Sequence, residues 1–171
     1  GGVAYVTHDR RGEGLVPHQS IRKNGSLAAL ERLSNSIGWM REGREGREIQ
    51  EHMDSLQIKA SSMEQLASHL SGGNQQKVML TRWLMIHPKV LIIDEPTKGI
   101  DIGARMSIYQ IIHQLTQAGI GILMLTSDMV ELIGLSDRTL VFYEGRIVRE
   151  LARDEVTEER IMKAASGITE G

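Results

Sequence analysis

Two stretches of this chain carry residue types that can do chemistry. Leu70-Ser71-Gly72-Gly73-Asn74-Gln75-Gln76 is a polar, glycine-bearing turn that opens a helix. Val90-Leu91-Ile92-Ile93-Asp94-Glu95-Pro96 is a hydrophobic strand that ends abruptly in two carboxylates. A helix N-terminus with a Ser and two Gly exposes unpaired N–H groups and a positive dipole end, which suits a phosphate. A strand ending in Asp-Glu places acids at the carboxyl edge of an open α/β sheet, where ligands bind. There Asp94 can hold Mg2+ and Glu95 can polarise an attacking water.

The elements that must position these residues follow from the hydrophobic pattern. Gly2 to Val6 reads as a short apolar strand and Thr7 to Gly14 as a charged loop. Ser20 to Leu33 is a loop passing into a helix, with Ala28, Ala29, Leu30 and Leu33 apolar. The low-complexity tract Arg41 to Glu48 reads as a solvated loop leading into an amphipathic helix over Glu48 to Leu56. Ser62, with Gln65 three residues on, is a candidate capping box. From Asn74 to His87 the apolar set Val78, Met79, Leu80, Trp83, Leu84, Met85 and Ile86 is too wide for one stripe. It predicts a helix buried on most sides, with Trp83 inside, Arg82 at or near the surface, and Pro88 as its stop. Val90 to Ile93 lacks polar alternation, as in a parallel strand covered on both faces. Ile102 to Gln117 is amphipathic, with Ile108, Ile111, Ile112 and Leu115 at three-four spacing and Gly119 just past its end. Ile120 to Thr126 is a second buried strand, followed by a helix over Met129 to Ile133. Thr139 to Tyr143 and Arg146 to Glu150 flank the hairpin turn Glu144-Gly145, and Thr157 caps a helix to Ala165. Strands alternating with helices define an α/β class with a mainly parallel core sheet.

Bulk properties narrow the function classes. The 171 residues are 40% hydrophobic and 25% charged, with a formal net charge of -2, as in one globular domain able to bury a core. This near-neutral charge gives no reason to expect nucleic acid as a partner. The absence of Cys removes disulfides and zinc-thiolate sites. No apolar run approaches the ~20 residues that span a bilayer, so any membrane role is expected to be peripheral. His8, His18, His52, His69, His87 and His113 show no ligand spacing on a common face. Trp39, Trp83 and the nine Met read most simply as core or interface residues. The opening Gly1-Gly2-Val3, without an initiator Met, reads as the start of a piece of a longer protein.

Together, in this order and spacing, the two chemical stretches resemble the signature motif and Walker B strand of ATP-binding cassette (ABC) ATPases. The Gln75-Gln76-Lys77 continuation, Pro96 to Ala104, Asp9 to Leu15 and Leu135-Ser136-Asp137-Arg138 resemble the sugar-importer branch, in which two cassettes are fused in one polypeptide. This chain is most similar to the second. The resemblance implies a P-loop NTPase core (residues 1–15 and 88–150), a helical subdomain bearing the signature (16–87) and a C-terminal tail helix (151–171). It implies ATP and Mg2+ as cofactors, with Asp94 holding Mg2+ through water and Glu95 as general base. Ser71, Gly72, Gly73 and Gln75 would face the γ-phosphate on the other cassette, and Asp101 would be the D-loop aspartate, with a helix cap as its plainer role.

Two family positions are substituted. The Q-loop glutamine falls where His8 stands, and the switch-loop histidine falls at Ser127. A serine hydroxyl is too short, and has the wrong pKa, to replace an imidazole; partial substitution by His8 as a hydrogen-bond donor is the lesser alternative to loss of the Q-loop role. No G-x-x-x-x-G-K-S/T run occurs, so Walker A is expected upstream of Gly1 and the chain alone is expected to be inactive. The resemblance further implies an N-terminal cassette of the same polypeptide, membrane permease subunits docking near Arg10 to Asn24, and an extracytoplasmic solute-binding protein. The expected location is the cytoplasmic face of the membrane. A soluble ABC ATPase of the translation or DNA-repair type is the alternative, and a non-catalytic interaction module a third.

Overall fold

The computed structural model describes residues 2–167, which divide between 125 and 126 into two compact units. In the first unit, β1 (Val3–Val6), β2 (Val90–Asp94) and β3 (Gly121–Leu125) form a parallel sheet in that order. Val6 pairs with Ile93, and Ile93 with Met124, so all three carboxyl ends lie along one edge. This mainly parallel α/β arrangement is the expected class. The register puts Ala4, Val6, Leu91 and Ile93 on one face, where all four are buried. Helices α4 (Gly72–Leu84) and α5 (Ile102–Gln117) pack in this unit, α4 against β1 and α5 against β3.

The opposite face differs from expectation. Val3, Tyr5, Val90, Leu123 and Leu125 are exposed there, so the strands read as covered on both faces are covered on one. Unbroken hydrophobicity measures how much surface a strand is suited to bury, and it does not name the element that covers it.

Between β1 and β2 lie α1 (Ile21–Ser26), α2 (Leu30–Leu33), α3 (Glu42–Ser55) and α4. Ser20 caps α1 by accepting from the Lys23 N–H at 3.3 Å. Of the apolar residues there, Leu33 and Ala29 are buried while Leu30 is 41% exposed. Helix α3 begins at Glu42, so most of the Gly-Arg-Glu tract is helix rather than loop. Glu45 is buried against Ser26 Oγ (2.7 Å) and Arg22 Nε (2.8 Å). Glu48 accepts from Arg32 and from Arg44 one turn earlier. The proposed capping box at Ser62 is absent: Gln65 Oε1 accepts from the Ser61 N–H at 2.8 Å, and the short helical turn is Ala67–His69.

Helix α4 inverts one expectation. Arg82 is 7% exposed and Trp83 only partly buried. Arg82 Nε donates to the Asn24 carbonyl and Nη2 to Asn24 Oδ1, both at 3.0 Å. The guanidinium is thus buried where α1 supplies acceptors, and burial draws its pKa below the ordinary arginine value. The helix ends at Leu84, before Pro88, and His87 takes a left-handed φ of 50°.

The second unit holds α6 (Met129–Leu135), the antiparallel pair β4 (Arg138–Tyr143) and β5 (Arg146–Ala152), and α7 (Glu158–Ala165). Glu144 and Gly145 both have positive φ (45° and 75°), the geometry of the tight hairpin turn the sequence called for. Thr157 caps α7 through the Arg160 N–H. Val141, Leu151, Val156 and Ile161 form this unit's core. Residues 168–171 of the expected tail lie outside the described residues.

Candidate functional site

Asp94 is the last residue of β2, and His8 lies two residues past the end of β1. Parallel pairing sets these two strand ends side by side. His8 Nδ1 lies 2.6 Å from Asp94 Oδ2, and the Tyr5 hydroxyl donates to the same oxygen at 3.0 Å. An ionised carboxylate only accepts, so Nδ1 carries the shared hydrogen. Burial pushes the Asp94 pKa up, but the hydrogen bonds from His8 and Tyr5, with the nearby His8 and Lys98 charges, hold it below the usual value overall. The hydrogen bond to Asp94 is also the main reason the Tyr5 phenol lies above its ordinary pKa. Asp94 is therefore an ionised, hard oxygen donor at a sheet edge, a group that fits Mg2+.

Glu95 turns the chain out of the strand with φ 47°. A non-glycine residue in this region costs on the order of 1–3 kcal/mol and persists where its surroundings fix it. Here its N–H donates to the Leu125 carbonyl at 2.7 Å, tying the end of β3 to that of β2, and its carbonyl accepts from the Lys98 N–H at 3.1 Å. The two acids thus leave the sheet together at its carboxyl edge.

Ser71 is the N-cap residue of α4, yet its hydroxyl makes no capping bond; it accepts instead from Asn74 Nδ2 at 3.1 Å. The dipole end of α4 is left for another anion. Gly73 has a reason within the fold: a Cβ there would sit 2.7 Å from Ala104 Cβ, so the first turns of α4 and α5 meet only because position 73 lacks a side chain. Asp101 caps α5, accepting from the Ala104 N–H at 3.0 Å. Gln75 donates to the Ala67 carbonyl at 3.2 Å, fixing the turn that precedes the glycines.

Arg10 is the residue the sequence reading passed over. Its Nη1 donates to the Gly72 carbonyl (3.2 Å) and its Nη2 to the Gly99 carbonyl (3.0 Å). One guanidinium therefore joins the segment after β1, the start of α4 and the loop after β2. In the sequence Arg10 stands in a charged run with nothing to separate it from its neighbours. Ser127 lies in the second unit, directly before Asp128, which caps α6 by accepting from the Val130 N–H at 2.9 Å. Among the described residues, no three His, Asp or Glu side chains gather into a metal-binding group.

A parallel sheet with acids at its carboxyl edge and a glycine-opened helix held beside it defines an α/β domain of the P-loop NTPase fold class. More particularly, the chain belongs to the ABC transporter family, whose model matches residues 1–98. It is 45% identical over 164 residues to a ribose import ATP-binding protein of Clostridium tetani, covering 96% of this chain and 32% of that protein. It is 48% identical over 162 residues to an L-arabinose transport ATP-binding protein of Geobacillus stearothermophilus (95% and 31%). With a xylose import ATP-binding protein of Moorella thermoacetica the identity is 48% over 166 residues (97% and 32%). The chain spans about a third of the length of these curated relatives. The fold is that of an ATP-binding cassette of an ABC transporter solved at 20% identity (TM-score 0.77, covering 99% of this chain and 69% of that one). It is equally that of a dimeric cassette in a post-hydrolysis state bound to ADP and Pi, at 21% identity (TM-score 0.73, 88% and 62%).

Proposed function

We propose that this chain is the C-terminal part of the second nucleotide-binding domain of a sugar-importing ABC transporter. The whole protein couples ATP hydrolysis to uptake of a monosaccharide or similar small polar solute. The observation that carries this reading is the pairing of two half-sites in one unit. Asp94 and Glu95 stand at the sheet edge for a nucleotide held in cis. Arg10 positions Gly72 at the open end of α4, for phosphates presented by a partner cassette. The relatives' names, with ribose, arabinose and xylose among them, support the solute class.

When bound, Mg2+ would be held by Asp94 through water and would neutralise charge on the transferring phosphate. Glu95 accepts a proton from, and so orients, the attacking water. Ser71, Gly72, Gly73 and Gln75 form the trans-facing edge, where missing side chains let backbone N–H groups approach phosphate oxygens. Asp101 fixes the loop between the half-sites by capping α5. The exposed apolar sheet face bearing Val3, Tyr5, Leu123 and Leu125 supports a chain that belongs to a larger cassette, since a parallel sheet ordinarily has both faces covered. The remaining partners are an N-terminal cassette of the same polypeptide and a membrane permease on the cytoplasmic face, with a solute-binding protein acting from the far side. Residues 1–15 and 88–150 would form the P-loop core and residues 16–87 the helical subdomain.

The test is affinity purification of the intact polypeptide from its own cells. Recovery of a permease, with sugar-stimulated ATP hydrolysis on reconstitution, is the expected result. Recovery with ribosomes or DNA instead would replace this reading with that of a non-transporter ABC ATPase.

A further inference from the structure

We propose that Arg10 is a positioning residue for the site on the partner cassette. It locks the turn that opens α4 to the loop that leads into α5, so that both segments are presented across the interface as one block. This rests on the reading above, in which Ser71, Gly72 and Gly73 face a phosphate in trans.

The guanidinium is seated between two glycines. Nη1 donates to the Gly72 carbonyl at 3.2 Å and Nη2 to the Gly99 carbonyl at 3.0 Å. A Cβ at Gly72 would meet Nη1 at 3.3 Å, and one at Gly99 would meet Nη2 at 3.1 Å, so bare backbone on both sides makes the seat. Gly99 also holds a φ of 67°, a left-handed conformation that glycine adopts without strain. The backbone that carries the guanidinium is itself fixed. The Arg10 N–H donates to the His8 carbonyl at 3.1 Å, and the Arg10 carbonyl accepts from the Leu15 N–H at 2.9 Å.

Both held segments carry residues of that reading. Gly72 lies between Ser71 and Gly73, and Gly99 stands two residues before Asp101, the cap of α5. The meeting of Gly73 with Ala104 limits how closely α4 and α5 approach; the two bonds from Arg10 fix the carbonyls ahead of that contact. A planar guanidinium presents its N–H groups as a rigid fork, which holds two acceptors in direction as well as distance. Its charge makes each bond stronger than one from a neutral donor. A lysine offers a single nitrogen on a flexible stem and cannot hold two carbonyls in that way. A group misplaced by about 1 Å costs on the order of a hundredfold in rate.

The experiment uses the intact polypeptide. Amide hydrogen exchange of residues 70–76 and 98–104, followed without nucleotide, should quicken in both segments in Arg10→Ala. Added methylguanidinium should slow both again, and methylammonium should not. Quickening in one segment alone, or in neither, overturns the inference. On reconstitution with the permease, kcat for ATP hydrolysis in Arg10→Ala should fall on the order of tenfold to a hundredfold, with KM for ATP unchanged and the same rescue by methylguanidinium. Arg10→Lys should stay nearer to Arg10→Ala than to wild type. A wild-type kcat in Arg10→Ala, a loss that methylguanidinium leaves in place, or wild-type activity in Arg10→Lys overturns it. Gly72→Asp separates this from failure of the underlying reading. A kcat lost there but kept in Arg10→Ala removes Arg10 alone, whereas a kcat indifferent to both removes the trans-facing role of α4. Circular dichroism of each variant verifies that the fold is intact.

Discussion

Asn24 is the residue whose removal the structure prices most fully. Its Oδ1 accepts from the Val16 N–H at 2.8 Å and from Arg82 Nη2 at 3.0 Å, while its Nδ2 donates to the carbonyls of Val16, Gln19 and Ser20. Asn24→Ala strips all five bonds, but not all five partners are stranded. The Val16 carbonyl also accepts from the Gln19 N–H, that of Gln19 from the Ala67 N–H, and that of Ser20 from the Asn24 N–H. The cost therefore falls on two donors. The buried, charged Arg82 guanidinium keeps its Nε bond to the Asn24 carbonyl, but its Nη2 loses the acceptor, and a charged donor left so costs about 2–3 kcal/mol. Val16 is 42% exposed, so water can reach its N–H and the loss there is at most about 1 kcal/mol. The sum is about 2–4 kcal/mol. Denaturant unfolding followed by Trp83 fluorescence, which reports α4, should show that loss as a lowered midpoint with unchanged slope. A loss below about 1 kcal/mol for Asn24→Ala would refute the assignment of the cost to Arg82.

Other outcomes follow from the same coordinates. Gly73→Ala should destabilise by about 1–3 kcal/mol, because its Cβ meets Ala104 Cβ at 2.7 Å; the same substitution should cost less in an Ala104→Gly background than in wild type, and equal costs would remove that contact as the cause. Arg32 first, then Arg44, draws the Glu48 pKa from 4.5 down to about 2 against the opposing effect of burial. The bound is about 3 kcal/mol, reduced to about 1–2 kcal/mol by the partly exposed arginines. Because the folded pKa is the lower one, this stability is present above pH 4.5 and is lost as pH falls toward 2. The midpoint gap between wild type and Glu48→Gln should therefore be full near neutrality and close across that window. Finally, the 171-residue chain alone lacks a G-x-x-x-x-G-K-S/T run, so calorimetric titration with Mg-ATP should show no saturable binding at micromolar nucleotide; a clear micromolar Kd would show that the phosphates are held by other residues.

Local pattern announced what local forces decide. Helix α5 runs over the stretch Ile102–Gln117 that its three-four spacing marks, because its buried side is a simple stripe of Ile108, Ile111 and Ile112. The hairpin turn at Glu144-Gly145 was legible from Gly145, whose type suits the positive φ of 75° it adopts between two strand-like runs. The start of α3 was not, since glycines at positions 43 and 46 lower helix propensity by about 1 kcal/mol each. What overrides that cost is tertiary, with Glu45 buried against Ser26 and Arg22. Arg82 and Trp83 were exchanged for the same reason: the acceptors that bury Arg82 belong to Asn24, 58 positions away. In the site, Asp94, Glu95 and the glycines stood out by type and spacing, whereas Arg10 acts through two backbone carbonyls, which carry no side-chain signature.

The central claim is that the open end of α4 faces a phosphate. Gly72→Asp tests it directly, in the intact polypeptide reconstituted with its permease. A Cβ there would meet Arg10 Nη1 at 3.3 Å and the Gly99 carbonyl at 3.4 Å, so the Arg10 side chain must give by a few tenths of an ångström to admit it. A carboxylate about 4 Å from a phosphate oxygen costs about 4 kcal/mol in a partly dehydrated interface. Steady-state ATP hydrolysis should fall about a thousandfold, with neutral Gly72→Asn losing less and measuring the part due to side-chain bulk alone. Glu95→Gln, which acts only on the cis site, should cost less than Gly72→Asp. Wild-type hydrolysis in Gly72→Asp would contradict the account, because no phosphate could then be facing that helix end.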